Sequence, residues 1–222
     1  MSSARVIDLT HPIPSGTAGY PGDPGLVTRQ AHTHDEQGYL VTEITTGSHV
    51  GTHIDAPLHV FPGGADVAAL DLDVLVGPAD VIDVGVLPVG AAIPVEPVVP
   101  HLRRGARLLI KTDWAAHFGS DRYHDGFPTV SLELASAAAE AGVAVLGLEQ
   151  PSLCDGPAGL EAHHILLGAG CLIIEGLRLT EVEAGRYEFA CLPLPIEGVD
   201  GSPVRAIAWP QVHTSYGRKD AR

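Results

Sequence analysis

Proline and glycine supply 18 and 26 of the 222 residues and are scattered along the entire chain. Proline ends helices and is excluded from sheet interiors, and glycine punctuates both. A chain interrupted this often along its whole length is punctuated by turns rather than divided by a linker. It has to fold from many short elements joined by tight turns. Runs rich in Val, Ile and Leu, or alternating with period 2, predict strands at 5–9, 26–34, 39–46, 79–84, 107–112, 143–149, 171–175, 187–194 and 204–209. Two helices are predicted. One covers 131–141, with Ser131 as N-cap and Gly142 where a left-handed closing glycine belongs. The other covers 160–169, closed by Gly168 and Gly170. Many strands and few helices point to the α/β class with a β-rich layered core.

The length suits one domain, 1–222, large enough to bury a core without staples. Lys and Arg number 13 against 27 Asp and Glu, a net charge of −14. Nucleic acid and anionic membrane both demand a basic face, so neither is an expected partner. The densest basic group, Arg103, Arg104 and Arg107, is too small to change this. The best hydropathic stretch, 81–100, carries Asp83, Glu96 and Pro88, Pro94, Pro97 and Pro100, which rule out a spanning helix. The opening residues, MSSARVIDLTH, hold no apolar signal core. Cys154, Cys171 and Cys191 are odd in number and form no CxxC pair, so they read as reduced, packed thiols. A cytoplasmic location is expected.

Histidine is the unusual residue. There are 12, nearly as many as Lys and Arg together. Four ionisable side chains crowd into His49-Val50-Gly51-Thr52-His53-Ile54-Asp55-Ala56-Pro57-Leu58-His59. Odd positions carry His49, His53, Asp55 and His59, and even positions are mostly apolar. An extended chain therefore lines one face with ionisable groups and buries the other. On a straight strand His49 and His53 would lie about 13 Å apart, too far to share an ion with bonds of about 2.0–2.2 Å. The chain must bend between them, and Gly51 stands at the midpoint. A His and carboxylate set without Cys suits a catalytic metal rather than a structural zinc cage. Further ligands are sought around 161–175, where Glu161, His163, His164 and Glu175 fall. Successive helical residues diverge by about 100°, so only one of His163 and His164 can face a given site. Glu175 ends a strongly apolar run, where an unpaired carboxylate is costly.

The segment HVGTHIDAPLH at 49–59 resembles the HxGTHxDxPxH signature of the metal-dependent cyclase family, which includes bacterial kynurenine formamidases and isatin hydrolases. VIDLTHPI with YPGD at 20–23, LLIKTDW at 108–114, GLEQPSLCD at 147–155, HHILLGAGCLIIEGL at 163–177 and LPLPIEGVDGSPVRAI at 192–207 follow in that family's order. The resemblance implies a swivelling β/β/α-type fold and a homodimer or larger homo-oligomer. It implies a metal-dependent hydrolase cleaving an amide-type C–N bond of a small aromatic substrate, arylformamidase-like. It also implies one or two ions per chain, with Zn²⁺ the first choice and Mn²⁺ the second. Carried over by position, His49 and His53 bind one ion and His163 a second. Asp55 and Glu175 bridge them, and His59 is the proton donor and acceptor. The resemblance gives His163 the role over His164, because it lies twelve residues before Glu175 as in the formamidase pattern. Some relatives are cyclases acting on polyketide-like metabolites, an alternative chemistry on the same ligands. A non-catalytic metal-binding protein is the third reading. Two departures bear on substrate contact. Tyr20 stands where the formamidases carry a tryptophan, and Glu149 and Gln150 replace an Asp/Thr pair.

Overall fold

A computed structural model describes residues 5–211. Its strands are β1 (Ile7–Asp8), β2 (Val27–His32), β3 (Val41–Thr45), β4 (His53–Asp55), β5 (Val76–Asp83), β6 (Arg107–Lys111), β7 (Val145–Leu148), β8 (Leu172–Glu175), β9 (Gly185–Pro193) and β10 (Gly201–Pro210). Its α-helices are α1 (His34–Gln37), α2 (Leu72–Leu75), α3 (Leu132–Ala141) and α4 (Gly156–Gly168). Each of the nine predicted strand runs overlaps a strand, and the tenth strand, β4, lies in the histidine-rich segment. The α/β class, the β-rich core and the shortage of helices are all as expected.

The main sheet closes on itself. Strand order runs β10-β4-β8-β7-β6-β5-β9, and β9 pairs with β10 again, so seven strands form a ring with β1 appended to β10. β5 to β8 are mutually parallel, and the remaining pairs are antiparallel. Parallel neighbours need crossovers, and α3 and α4 lie in those leading to β7 and β8. The core is one large cluster, with a smaller second one of Trp114, Tyr123 and Phe127. Barrel strands supply Ile54, Leu108, Ile110, Leu146 and Ile173, and the two helices supply Leu134, Ala138, Ala162 and Leu166. Each Leu or Ile among them contributes about 1.5–3 kcal/mol on burial. Cys171 and Cys191 are buried in that cluster as small apolar groups, Cys154 is half-buried, and all three are free thiols.

The caps of α3 are as read from sequence. Ser131 Oγ accepts from the Leu134 amide at 3.1 Å, and Gly142 closes the helix at φ +70°. α4 starts four residues before the predicted 160, because Pro157 fits the first turn of a helix. Asp155 precedes it without capping it. Its carboxylate instead receives the Tyr20 hydroxyl. β2 and β3 form a separate two-stranded hairpin with exposed Val27, Val41 and Ile44. No helix among the described residues is long and apolar enough to cross a membrane.

Candidate metal centre and pocket

β4 is the spine of the site. It lies between β8 and β10, and the register sets His53 opposite Glu175 and Asp55 opposite Gly201. The extended reading of 49–59 holds for only three residues. Before them the chain turns at Gly51, with φ +66°. After them Pro57–His59 forms a 3-10 turn, because Pro57 suits the first position of a helical turn. Both bends fold the ends inward. The His49 ring comes within 4.3 Å of the His59 ring and 5.0 Å of the His53 ring.

Two carboxylates occupy the centre. Asp55 is fully buried and Glu175 is 3% exposed. Asp55 Oδ1 faces His49 Nδ1 at 2.9 Å and His53 Nε2 at 3.5 Å, while its Oδ2 faces His163 Nε2 at 3.6 Å. Glu175 divides in the same way, with Oε2 at 3.3 Å from His53 Nε2 and Oε1 at 3.5 Å from His163 Nε2. The far nitrogens are tied to backbone carbonyls: His53 Nδ1 to Gly51 O at 2.9 Å, His163 Nδ1 to Gly159 O at 2.7 Å. Each Nε2 is thereby left as a lone pair aimed at the carboxylates. His164 points away and packs on Phe61 at 5.2 Å. Its exposed position settles which of the two neighbours joins the cluster.

Both Asp55 oxygens, Glu175 Oε1 and His53 Nε2 are buried without hydrogen-bond partners. Most of the spacings are too long for hydrogen bonds. They match a shared cation, since a tetrahedral ion with bonds of about 2.1 Å sets its ligands about 3.4 Å apart. The electrostatics agree. Burial opposes charge on His49 and His163, yet Asp55 and Asp200 push His49 up to about 10, and Asp55 and Glu175 push His163 up to about 11. Burial likewise opposes charge on Asp55, but His163 and His49 hold its carboxyl well below the usual range. The cluster demands positive charge, and a divalent cation on oxygen and imidazole nitrogen satisfies it.

Asp200 is a residue that sequence reasoning missed. It precedes β10 and accepts from both flanking imidazoles through Oδ2, from His49 Nε2 at 3.0 Å and His59 Nδ1 at 3.2 Å. Its Oδ1 accepts from Ser48 Oγ at 2.9 Å.

A cavity of about 650 Å³ opens beside His49 and His53, walled by Pro12, Phe118, Tyr123, His124, Pro151 and Tyr20. His11 stacks on Phe118 at 3.9 Å and stiffens that wall from behind. The Tyr20 ring meets His124 edge-on. The expectation that Glu149 and Gln150 touch substrate needs correcting, because both are fully buried and neither lines the cavity beside His49 and His53. Glu149 Oε2 accepts from the Thr112 amide at 2.7 Å, and Oε1 accepts from the Leu179 amide at 3.2 Å. Its carboxylate pins loops under the site.

Fold and site define a β-barrel protein with a carboxylate-bridged histidine cluster. The family model described as "Putative cyclase" matches residues 7–153. The chain belongs to this family and is a hydrolase within it. It is 35% identical over 212 residues to a kynurenine formamidase of Bacillus cereus, covering 95% of this chain and 100% of that protein. It is 35% identical over 213 residues to the kynurenine formamidase of Bacillus cytotoxicus, with the same coverage. A solved structure described as a predicted metal-dependent hydrolase from Bacillus stearothermophilus superposes with a TM-score of 0.81 at 29% identity, covering 95% of this chain and 100% of the other. Isatin hydrolase A from Labrenzia aggregata, bound to benzyl benzoate, shares the fold with a TM-score of 0.81 at 23% identity, covering 94% of each chain.

Proposed function

We propose that the protein is a metal-dependent hydrolase of an amide-type C–N bond, with a small aromatic formamide as the substrate class. One observation carries the reading: each buried carboxylate turns one oxygen to one histidine side and the other oxygen to the opposite side. That arrangement supports two ion positions. His49 and His53 would hold one ion and His163 the other, with Asp55 and Glu175 shared. Zn²⁺ is the first choice and Mn²⁺ the second for such a donor set. Held by these residues, a divalent cation would supply a water of lowered pKa, near about 7, and a Lewis acid for a carbonyl.

The chain's own groups do the rest. Hydrolysis adds one water across the C–N bond, releasing formate and an amine. His59 is exposed at the rim, and its Nδ1 is tied to Asp200. Its Nε2 is left to take a proton and return it to the leaving nitrogen. Tyr20 offers a flat ring to the aromatic part of the substrate, and the apolar wall of Pro12, Phe118 and Pro151 excludes water around it. The residues 1–222 act as one domain. The free thiols favour a reducing, cytoplasmic setting. A two-stranded hairpin is marginal alone, so the exposed apolar β2–β3 arm supports a homodimer or larger homo-oligomer. Light scattering tests the assembly.

The functional test is elemental analysis followed by N-formylaniline hydrolysis. Two zinc or manganese ions per chain and chelator-sensitive release of formate are expected. Active protein free of transition metal would end this reading. Metal-loaded protein inert towards formamides would shift it to the ring-closing chemistry.

A further inference from the structure

Asp200 stands 151 positions from His49 and 141 from His59, yet one of its oxygens accepts from both rings. We infer that Asp200 is a positioning residue that fixes His49 and His59 in complementary tautomers, coupling the metal seat to the proton-transfer group. The inference rests on the hydrolase reading with His59 as the acid–base residue.

The geometry runs from backbone to ring. The Asp200 carbonyl accepts from the Ala56 amide at 2.9 Å, so pairing of β10 with β4 delivers the side chain to this place. Ser48 Oγ occupies Oδ1, leaving Oδ2 for the two imidazoles. A carboxylate only accepts, so each ring must present an N–H to it. His49 then carries its proton on Nε2 and offers the Nδ1 lone pair, which faces Asp55. His59 carries its proton on Nδ1 and keeps Nε2 bare, which makes it a base first and an acid after it is charged. The same carboxylate stabilises the imidazolium formed between those steps, the logic of a carboxylate behind a catalytic histidine. Gly201 completes the seat, since a Cβ there would lie 2.8 Å from His49 Cε1. The His49 ring is therefore held from the side by backbone and at its end by Asp200.

Asp200→Asn keeps the shape but removes the negative charge that faces both rings, leaving one weaker amide oxygen as their acceptor. At saturating zinc, kcat on N-formylaniline is expected to fall about 10²–10⁴-fold with KM little changed. Zinc affinity, read by chelator competition without any turnover, is expected to fall about 10–100-fold through His49. In a His59→Ala background the substitution is expected to cost little further kcat, because the residue it positions is gone. Independent multiplication of the two losses, or wild-type kcat and zinc affinity in Asp200→Asn, would overturn the inference. Failure of the wild-type enzyme on formamides would instead strike the hydrolase reading, with the zinc measurement still standing for His49.

Discussion

Gly176→Ala tests how tightly the metal seat is bound to the backbone beneath it. Gly176 follows Glu175 at φ +65°, and an added Cβ would meet Gly51 O at 2.5 Å. That oxygen is the acceptor that fixes His53 Nδ1. The segment cannot slide away, because the Gly176 amide donates to Gln150 O at 3.0 Å and its carbonyl accepts from Thr52 Oγ1 at 2.6 Å. The left-handed backbone costs an alanine about 1–2 kcal/mol. Forcing the Gly51 peptide aside adds about 1–3 kcal/mol. The sum is about 2–5 kcal/mol, a large part of an ordinary domain's stability of about 5–15 kcal/mol. At about 2–4 °C per kcal/mol, the melting midpoint is expected to fall by about 4–20 °C. Zinc affinity is expected to weaken with it, because His53 loses its anchor. Thermal denaturation and chelator competition on the same preparation supply both numbers. An unchanged midpoint would refute the clash argument. A fallen midpoint with unchanged zinc affinity would refute the link from Gly51 to His53.

Other outcomes follow from the same geometry. His59→Ala is expected to keep its metal while kcat falls about 10²–10⁴-fold, with a smaller loss on an activated ester that needs little protonation. Metal lost in step with activity would make His59 a ligand. Glu175→Gln is expected to lower the metal stoichiometry of fully loaded protein, and unchanged stoichiometry would reduce Glu175 to an accessory acceptor. Burial, with Arg178 nearby, lowers the His11 imidazole from 6.5 to about 4. The folded state therefore resists a proton that the unfolded chain accepts, and this contribution is whole above pH 6.5 and lost as pH falls towards 4. His11→Phe keeps the stack on Phe118, so its stability is expected to fall less steeply than the wild type's across that window. Parallel denaturation curves would refute this.

Much of the site was legible because its chemistry is packed into eleven residues. The period-2 pattern placed His49, His53, Asp55 and His59 on one surface, and the need for a bend singled out Gly51, which takes φ +66°. The strand length was not legible, since a proline after Ala56 reads equally as an extended end or the start of a 3-10 turn. His163 and His164 could not be separated by periodicity alone, and burial of one ring separates them. Asp200 left no local trace. It sits among Gly198, Val199 and Gly201, and only the pairing of β10 with β4 brings it to its partners. Glu149 misled for a related reason. A carboxylate at a strand end beside a motif looks like a substrate contact until the amides of Thr112 and Leu179 are seen to claim it.

The closed barrel also fixes the order in which activity can appear. β10 is the last strand among the described residues, and it pairs with both β9 and β4. The contact between Asp200 and His49 spans 151 positions, so loop closure delays it until residue 200 and the start of β10 are available. Until then the His49–His59 segment lacks the strand that organises it. A chain that stops before β10 is therefore expected to bind zinc weakly and to hydrolyse no formamide, which a truncation ending at residue 198 would check.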